Sequence, residues 1–168
     1  MADVKLIGGT FSDYNYPQSA NYAELERHQA AKTGTLKYLR LYASYGGNIK
    51  AAIYADSSGS PGARLAAPAE QAIVAGTRTI TVPDTAIVAG SYYWVGHIID
   101  QPNVIMGNDT GGTSKYKSQS YSGFSWPDPG SLSGYSSENA TWDLVGWGEE
   151  SAGGSIVPIL NQYRQRRA

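Results

Sequence analysis

The sequence predicts an all-β fold, a single antiparallel β-sandwich domain. Runs of β-branched and aromatic residues recur at short spacing and are separated by glycine, proline, asparagine and serine, as in sandwiches and barrels. Charged residues make up only 16% of the chain, which has 20 glycines and 13 tyrosines, and this favours strands and turns over helices held by charge pairs. A length of 168 residues suits one domain with a buried core.

Alternation of side chains locates the strands. The clearest run is SYYWVGHII (91–99), which is aromatic and β-branched and which we place at the centre of a sheet. Segment 114–121 is polar with tyrosines and is expected to be an edge strand. Further strands are expected at 4–7, 35–42, 49–55, 64–67, 71–74, 77–82 and 141–148.

Segment 22–31 is the least clear element, because its Ala, Glu and Leu residues also suit one short helix. We favour a strand, since alternate positions divide into two sets that would lie on opposite faces. One set is Tyr22, Glu24, Glu26 and His28, and the other is Ala23, Leu25, Arg27 and Gln29.

Glycine and proline mark the turns. Gly46-Gly47-Asn48 has the composition of a hairpin turn, and DSSGSPG (56–62) is typical of a long turn whose side-chain oxygens bond nearby backbone. Pro83 is expected to end the strand at 77–82, and a Pro/Gly/Ser loop is expected at 123–134.

The chain divides into a sandwich domain, 1–149, and a carboxyl-terminal extended arm, 150–168. The arm combines an apolar patch, interrupted by Pro158, with a basic end. Burial of each apolar side chain is worth about 1.5–3 kcal/mol, so the arm is expected to dock, for example as a strand on a neighbour's sheet edge. A solvated end and a strand on the domain's own sheet are the alternatives. The predicted interface residues are Ile156, Val157, Ile159, Leu160, Tyr163, Arg164, Arg166 and Arg167.

Composition excludes several classes of function. The chain has no cysteine, which excludes disulfides, thiolate catalysis and cysteine-based zinc sites. A net charge of −1 argues against general nucleic-acid binding. No apolar run is long enough for a signal peptide or a membrane span, so we expect synthesis in the cytosol, with leaderless export as an alternative route.

The sequence contains no recognisable catalytic constellation. His28 and His97 lack the spacing of metal ligands, and His97 is interpreted as an ordinary strand histidine, with a ligand role as the alternative. Neither a Gly-x-Ser-x-Gly elbow nor a phosphate-binding glycine loop with its lysine is present. Glycoside hydrolysis needs two carboxyl groups about 5–9.5 Å apart, and nothing pairs any two of the acids. We therefore expect a protein that is not an enzyme and that binds no cofactor. The acids considered are Glu24, Glu26, Asp100, Asp109, Asp128, Glu138 and Asp143.

Asp56 is a weak candidate for a metal site. It stands beside Ser57, Ser58 and several carbonyl groups, and calcium takes several oxygen ligands. A single carboxylate makes a poor calcium site, so the favoured interpretation is that Asp56 caps the turn.

Aromatic residues in the polar, glycine-rich part of the chain are the best candidates for ligand binding. Exposed aromatics stack on sugar rings and also anchor protein interfaces. A protein interface is the first interpretation, with local packing and sugar binding as alternatives, whereas Trp94, Trp142 and Trp147 lie in strand patterns and are expected in the core. The candidate platform comprises Tyr116, Tyr121, Phe124, Trp126 and Tyr135.

Several segments in a fixed order carry a resemblance to a known module: GNIKAAIYADSSGSPG (47–62), GSYYWV (90–95) and LVGWG (144–148). They resemble a β-sandwich module of bacteriophage and archaeal-virus structural proteins and of large microbial surface proteins. The likeness extends over roughly 30–148, and segment 99–140 is not constrained by it. The resemblance implies a jelly-roll-like sandwich with a structural or adhesive role, and it implies no catalytic residues.

The resemblance and the arm together predict a structural protein of a virion or virus-like particle, such as a capsid-decorating, fibre or tail component. Such a protein would assemble through its sheet edges and its arm with copies of itself and with a capsid, fibre or tail protein. It would reside in the virion after synthesis in the host cytoplasm. The alternative is a carbohydrate-binding or adhesive module of a surface protein, with a glycan as its ligand. Nucleic acid is not an expected partner.

Overall fold

A computed structural model describes residues 3–9, 16–102, 106–108, 114–142 and 144–151. These residues form strands and turns without any helix, and the paired strands are antiparallel, which confirms the predicted all-β sandwich. In this part of the chain no helix is long and apolar enough to cross a membrane. The strands are β1 (Asp3–Ile7), β2 (Tyr16–Pro17), β3 (Tyr22–Gln29), β4 (Gly34–Ala43), β5 (Gly47–Ser57), β6 (Ser60–Ala66), β7 (Gln71–Ile73), β8 (Gly76–Ile87), β9 (Tyr92–Ile99), β10 (Met106–Asn108), β11 (Ser114–Ser118), β12 (Ser136–Glu138), β13 (Thr141–Trp142) and β14 (Leu144–Glu150).

The predicted arm lies almost entirely outside the described residues. β14 ends at Glu150, and the backbone N–H of Ser151 donates to the carbonyl oxygen of Thr33 at 3.0 Å. The docking of the arm stays a prediction. The arm residues outside the described part are Ile156, Val157, Ile159, Leu160, Tyr163, Arg164, Arg166 and Arg167.

The first sheet has the strand order β1-β14-β4-β8. Its edge strand β8 continues through Pro83 to Ile87, so the prediction that Pro83 ends this strand is wrong. The register against β4 shifts here, from Thr81 opposite Tyr38 to Thr85 opposite Leu36. Proline is tolerated in an edge strand at such an irregularity because its missing N–H removes no ladder hydrogen bond.

The second sheet has the order β12-β11-β3-β9-β5-β6, with β7 also paired to β5. β9 lies between β3 and β5, which confirms its predicted central position, and β3 confirms the strand interpretation of segment 22–31. β11 is not an edge strand as predicted, because the short strand β12 pairs along its other side. A small third sheet, β13-β10-β2, completes the described architecture.

Two of the predicted turns differ from their predicted form. β5 and β6 join through Ser58 and Gly59, with φ angles of 52° and 84°, so a tight turn replaces the long turn expected at 56–62. β4 and β5 belong to different sheets, so Gly46-Gly47-Asn48 is not a hairpin turn and instead lies where the chain crosses between sheets.

The larger core lies between the two sheets. Leu36 and Leu39 of the first sheet pack in one buried cluster with Ile53 and Val95 of the second. Trp142 belongs to this cluster and is 2% exposed, as predicted.

Trp147 does not belong to the core, so that prediction is wrong. It is half-buried, and the guanidinium of the exposed Arg40 lies 5.6 Å from its ring. Alternation along β14 directs Gly146 to the inner face, where an added Cβ would meet Ile7 and Leu36, and directs Trp147 outward.

A second cluster, which we call the outer layer, covers the opposite face of the second sheet. Loop residues from 119–135 fold over this face and bury side chains of β3, β5 and β9. The sheet is therefore buried on both faces along β9. The outer layer consists of Ala23, Leu25, Ala52, Tyr54, Trp94, Ile98, Tyr121 and Trp126, with Phe124, Leu132 and Tyr135 packed against them.

Candidate functional site

The predicted aromatic platform is largely a packing layer. Trp126 is 4% exposed and Tyr121 is 8% exposed. The Trp126 ring packs edge-on against Phe124 and Tyr54, with centroid distances of 4.9 Å and 6.3 Å. Phe124 and Tyr135 are half-buried against the same cluster. The expectation that Tyr121 and Trp126 are exposed is therefore wrong, and local packing accounts for both.

Two cationic side chains fasten this loop to the sheet. The Lys50 ammonium donates to the carbonyl oxygens of Tyr121 and Phe124 at 3.0 and 3.1 Å. The Arg64 guanidinium donates to the carbonyl oxygen of Trp126. These charge-assisted hydrogen bonds hold the loop in the position that buries its aromatic rings.

An open cleft of about 520 Å³ runs along the exposed side of the loop. Phe124 and Tyr135 present their remaining exposed surface here, and the Lys117 ammonium lies 5.9 Å from the Tyr135 ring centroid. The other lining groups are mostly serines and backbone. Among the described residues, no Asp or Glu lines this cleft beside the aromatic rings.

Asp56 has donors on both of its carboxylate oxygens. Oδ1 accepts from Arg27 Nε at 2.7 Å and from Trp94 Nε1 at 2.9 Å, and Oδ2 accepts from the Gly59 N–H at 3.1 Å. The Arg27 hydrogen bond holds the pKa of Asp56 at about 2. The bond to Gly59 confirms the turn-capping interpretation, and a metal ion would have to displace Arg27. The described residues contain no group of three or more His, Asp or Glu placed to hold a metal ion.

The side chains of β3 that point into the sandwich are polar. Glu24 is 4% exposed and Glu26 is 6% exposed. The register sets Glu24 opposite His97 on β9, which is 2% exposed. Glu26 Oε2 accepts from the backbone N–H of Trp142 at 3.0 Å and lies 3.2 Å from Nε2 of His28. Buried carboxyl groups in a row are costly unless they are partnered, so this face is the most unusual part of the interior.

A pocket of about 230 Å³ opens onto this polar row, and we call it the acidic pocket. β11 brings Tyr116 opposite Glu24, and the Ser114 hydroxyl donates to Glu138 Oε1 at 3.1 Å. The rings of Tyr22 and Tyr116 stand 6.0 Å apart at an angle of 53°. The acidic pocket is lined by Pro17, Ser19, Tyr22, Glu24, Tyr116, Glu138 and Trp142.

Glu24 and Glu138 form a hydrogen-bonded carboxyl pair. Burial raises the pKa of Glu24 to about 9, and the charge of Glu138 and its hydrogen bond to Glu24 act in the same direction. Glu24 therefore holds a proton at neutral pH. Its Oε2 atom is buried and has no hydrogen-bond partner among the described residues.

His97 is an uncharged packing group next to this site. Its ring packs edge-on against Trp142, with centroids 5.6 Å apart. Burial lowers the pKa of His97 to about 3, so the imidazole is neutral throughout the physiological range. This environment fits the interpretation of His97 as a strand histidine.

The sequence predicts one residue of this site, and it does not predict how the strands bring the site together. Of the predicted platform residues, Tyr116 lines the acidic pocket, whereas Tyr121, Phe124, Trp126 and Tyr135 belong to the outer layer. The sequence indicates Glu24 and Glu138 only as unpaired acids. The alternation of Tyr22 and Glu24 along β3 was the one available signal, because it sets both on one face.

Comparisons with known proteins add no family assignment. No protein-family model matches the chain, and no curated protein matches it.

Proposed function

We propose that the chain is a carbohydrate-binding module of a particle or cell-surface protein and that the acidic pocket is its binding site. The observation that carries this proposal is the Glu24–Glu138 carboxyl pair, which lies in one pocket with Tyr22 and Tyr116. Aromatic faces pack against the C–H groups of a sugar ring, and carboxyl oxygens accept from its hydroxyl groups.

The size of the pocket limits the ligand. Sites for drug-sized molecules measure about 300–1,000 Å³, and the acidic pocket measures about 230 Å³. A single sugar ring or the terminal unit of a glycan fits such a volume better than an internal stretch of polysaccharide. The tilted rings of Tyr22 and Tyr116 offer two aromatic surfaces to that unit.

The carboxyl pair favours binding over hydrolysis. Retaining and inverting glycosidases separate their two carboxyl groups by about 5–9.5 Å so that a sugar or a water lies between them. Glu24 and Glu138 are instead joined by a hydrogen bond. The proposed module therefore holds its sugar without cleaving it.

The experiment is a glycan array with the full chain, followed by calorimetry on the sugars retained. Tyr116→Ala and Glu138→Gln are each expected to weaken binding by about tenfold or more, because each removes a stacking face or a charged acceptor. Tyr45→Ala is the matched control, since Tyr45 is 62% exposed in the connection between β4 and β5. Absence of any bound sugar, or unchanged affinity in the folded pocket variants, would overturn the proposal.

A structural role in a virion or virus-like particle is the second proposal, and the edge strand β8 favours it. Its twelve residues pair with β4 along one side, and among the described residues no strand pairs with the other side. Val74 and Val88, which flank β8, are 60% and 53% exposed. The unpaired edge before Pro83 is a template for pairing with another copy or with a capsid, fibre or tail protein.

Assembly measurements test the structural proposal. A Thr79→Lys/Thr81→Lys double variant is expected to block edge pairing, because lysines on an edge strand oppose it. Deletion of residues 155–168 tests the arm separately. If neither change alters oligomeric state or attachment to particles while the fold survives, the structural proposal is wrong.

A further inference from the structure

Most edges of the two larger sheets are shielded from pairing with another strand. β1 carries the charged residues Asp3 and Lys5, and its Leu6 carbonyl oxygen accepts from the Ala31 N–H at 2.9 Å. β7 and β12 have only three residues each. Charged side chains and short edge strands both oppose the addition of a further strand.

The edge at β6 is covered by the loop of the outer layer. The Gly130 N–H donates to the carbonyl oxygen of Gly62 at 2.8 Å, and the Arg64 N–H donates to Asp128 Oδ1 at 3.0 Å. These bonds tie the loop to the backbone of β6, so the loop shields this edge from another strand.

The first part of β8, residues 76–82, has no such protection, and we call it the open edge. It contains neither lysine nor proline, and the side chains of Thr77, Thr79 and Thr81 are exposed. Its one charged residue, Arg78, folds back along the strand, where its guanidinium donates to the carbonyl oxygens of Thr77 and Ala75. An unprotected edge of this kind is a template for pairing.

The backbone groups of the three threonines are directed away from β4. The Thr81 carbonyl oxygen accepts from Gln71 Nε2 at 3.2 Å, and the Thr77 carbonyl oxygen accepts from Arg78 at 2.8 Å. In a regular antiparallel pair, the backbone groups of successive residues point alternately toward the partner strand and away from it. Thr79 therefore shares the orientation of Thr77 and Thr81, and each carbonyl oxygen keeps a second lone pair for another donor.

We propose that the open edge pairs with the open edge of a second copy of this chain, antiparallel and about a two-fold axis at Thr79. Thr77 then lies opposite Thr81 of the second copy, and Thr79 lies opposite its own counterpart. Such an interface is isologous, because the same patch serves both copies. This inference rests on the proposed structural role and names the partner of the edge strand.

The sequence of the open edge is suited to pairing with itself. Segment TRTIT (77–81) has a threonine at every second position in either direction from Thr79. Threonines directly opposite one another on antiparallel strands form a favourable pair. Arg78 lies opposite Ile80 of the second copy, so no like charges face each other across the axis.

The neighbouring registers are less favourable. An axis at Arg78 sets this arginine opposite its own counterpart, and like charges directly opposite are destabilising. An axis at Ile80 sets Thr77 opposite Pro83 of the second copy, which has no N–H to donate. The axis at Thr79 avoids both faults.

An interface made by one pair of short strands is weak in solution. Interfaces that bury less than about 1,200 Å² are typical of transient complexes. Copies that are held side by side on a particle have a high effective concentration, and weak pairing is sufficient there. With the isolated chain, we expect the dimer to form only at high protein concentration.

The experiment is disulfide trapping of the full chain, which has no cysteine of its own. Opposite residues of a hydrogen-bonded antiparallel pair have Cα atoms about 5.5 Å apart, a distance that a disulfide spans. Thr79→Cys is therefore expected to form a covalent dimer under mild oxidation. Thr77→Cys and Thr81→Cys, which change exposed threonines of the same strand, are each expected to remain monomeric. An equimolar mixture of these two variants is expected to give the dimer that neither gives alone.

Thr79→Pro tests the backbone pairing without a new bond. The N–H of Thr79 points away from β4, so proline removes hydrogen bonds of the dimer and none of the ladder to β4. Sedimentation equilibrium is expected to show dimerisation weakened by about tenfold or more, because each dimer loses two hydrogen bonds. Chemical denaturation checks that the fold survives, and Thr79→Lys/Thr81→Lys gives the same reading if the proline variant does not fold.

The outcomes separate this inference from the structural proposal. Equal trapping of the three single-cysteine variants, or no trapping of Thr79→Cys, would overturn the inference. If Thr79→Cys is not trapped but Thr79→Lys/Thr81→Lys abolishes attachment to particles, the edge pairs with a different protein and only the choice of partner is wrong. If neither the lysine variant nor deletion of residues 155–168 alters oligomeric state or attachment, both proposals are wrong.

Discussion

The two faces of the second sheet differ in what covers them and in what they are able to bind. The loop aromatics predicted as a binding platform form a buried outer layer, with Trp126 only 4% exposed. The inner face, which belongs to the sandwich interior, carries Glu24, Glu26 and His97 and opens into the acidic pocket. In this fold, aromatic residues in a glycine-rich loop stabilise the sheet, and the polar residues of a strand form the candidate site.

The two sheets differ in width. The first sheet has four strands, and the second has seven. The main core contains residues of β4, β5 and β9 and none of β3, β11 or β12, so that end of the second sheet lies beside it. That end can hold polar side chains and a pocket without interrupting the apolar contacts of β4, β5 and β9.

Removal of the outer-layer tryptophan gives the largest expected effect. Trp126→Ala is expected to lower the free energy of unfolding by about 3–5 kcal/mol, because it leaves a cavity against Tyr54 and Phe124. Chemical denaturation measures this, and Phe124→Ala, at a half-buried position, is expected to cost less. An unchanged denaturation midpoint for Trp126→Ala would show that the loop does not stabilise the sheet.

Replacement of the buried Glu24 tests the inner face of the second sheet. In the folded chain the pKa of Glu24 is about 9, against 4.5 for the ordinary group. Between those values the folded state binds the extra proton, so stability falls as pH rises. Glu24→Gln removes this fall and is expected to stabilise the domain by about 1–3 kcal/mol near neutral pH, with the gain growing toward alkaline pH.

Denaturation of Glu24→Gln and its parent across the range from acid to alkaline pH measures this difference. A variant that is less stable than the parent at every pH would mean that the Glu24 carboxyl is a structural requirement. The site assigned to the inner face would then be ordinary packing.

Replacement of Asp56 is expected to have the smallest effect on stability. It tests the hydrogen bonds that Asp56 accepts from Arg27, Trp94 and Gly59. Asp56→Asn weakens the bonds from Arg27 and Trp94 and is expected to cost about 1–2 kcal/mol near neutral pH. The pKa of Asp56 is lowered from 3.8 to about 2, so its contribution is present above 3.8 and is lost as pH falls toward 2. An equal difference between parent and variant at about pH 7 and about pH 2 would contradict this linkage.

Much of the fold follows from local patterns. SYYWVGHII predicts the central strand β9, and alternation in segment 22–31 predicts β3, because both properties belong to short stretches of chain. The same run also predicts the outer layer. It is apolar at both odd and even positions, which means that each face of β9 needs a covering layer. The outer layer supplies the second cover.

The candidate site is not predictable in the same way. Glu24 and Glu138 meet only because β11 lies between β3 and β12 in one specific register. A shift of one residue would turn every side chain of a strand to the other face. Pairing between distant segments depends on the packed sheet, and no local pattern in the sequence encodes it.

The most direct test of the central claim is a titration of isotope-labelled protein with a monosaccharide, followed through backbone amide chemical shifts. We expect perturbed shifts at Tyr22, Glu24, Tyr116 and Glu138, and unchanged shifts in the loop around Phe124 and Trp126. Perturbation confined to that loop, or no perturbation at all, would contradict the assignment of the inner face as the binding site.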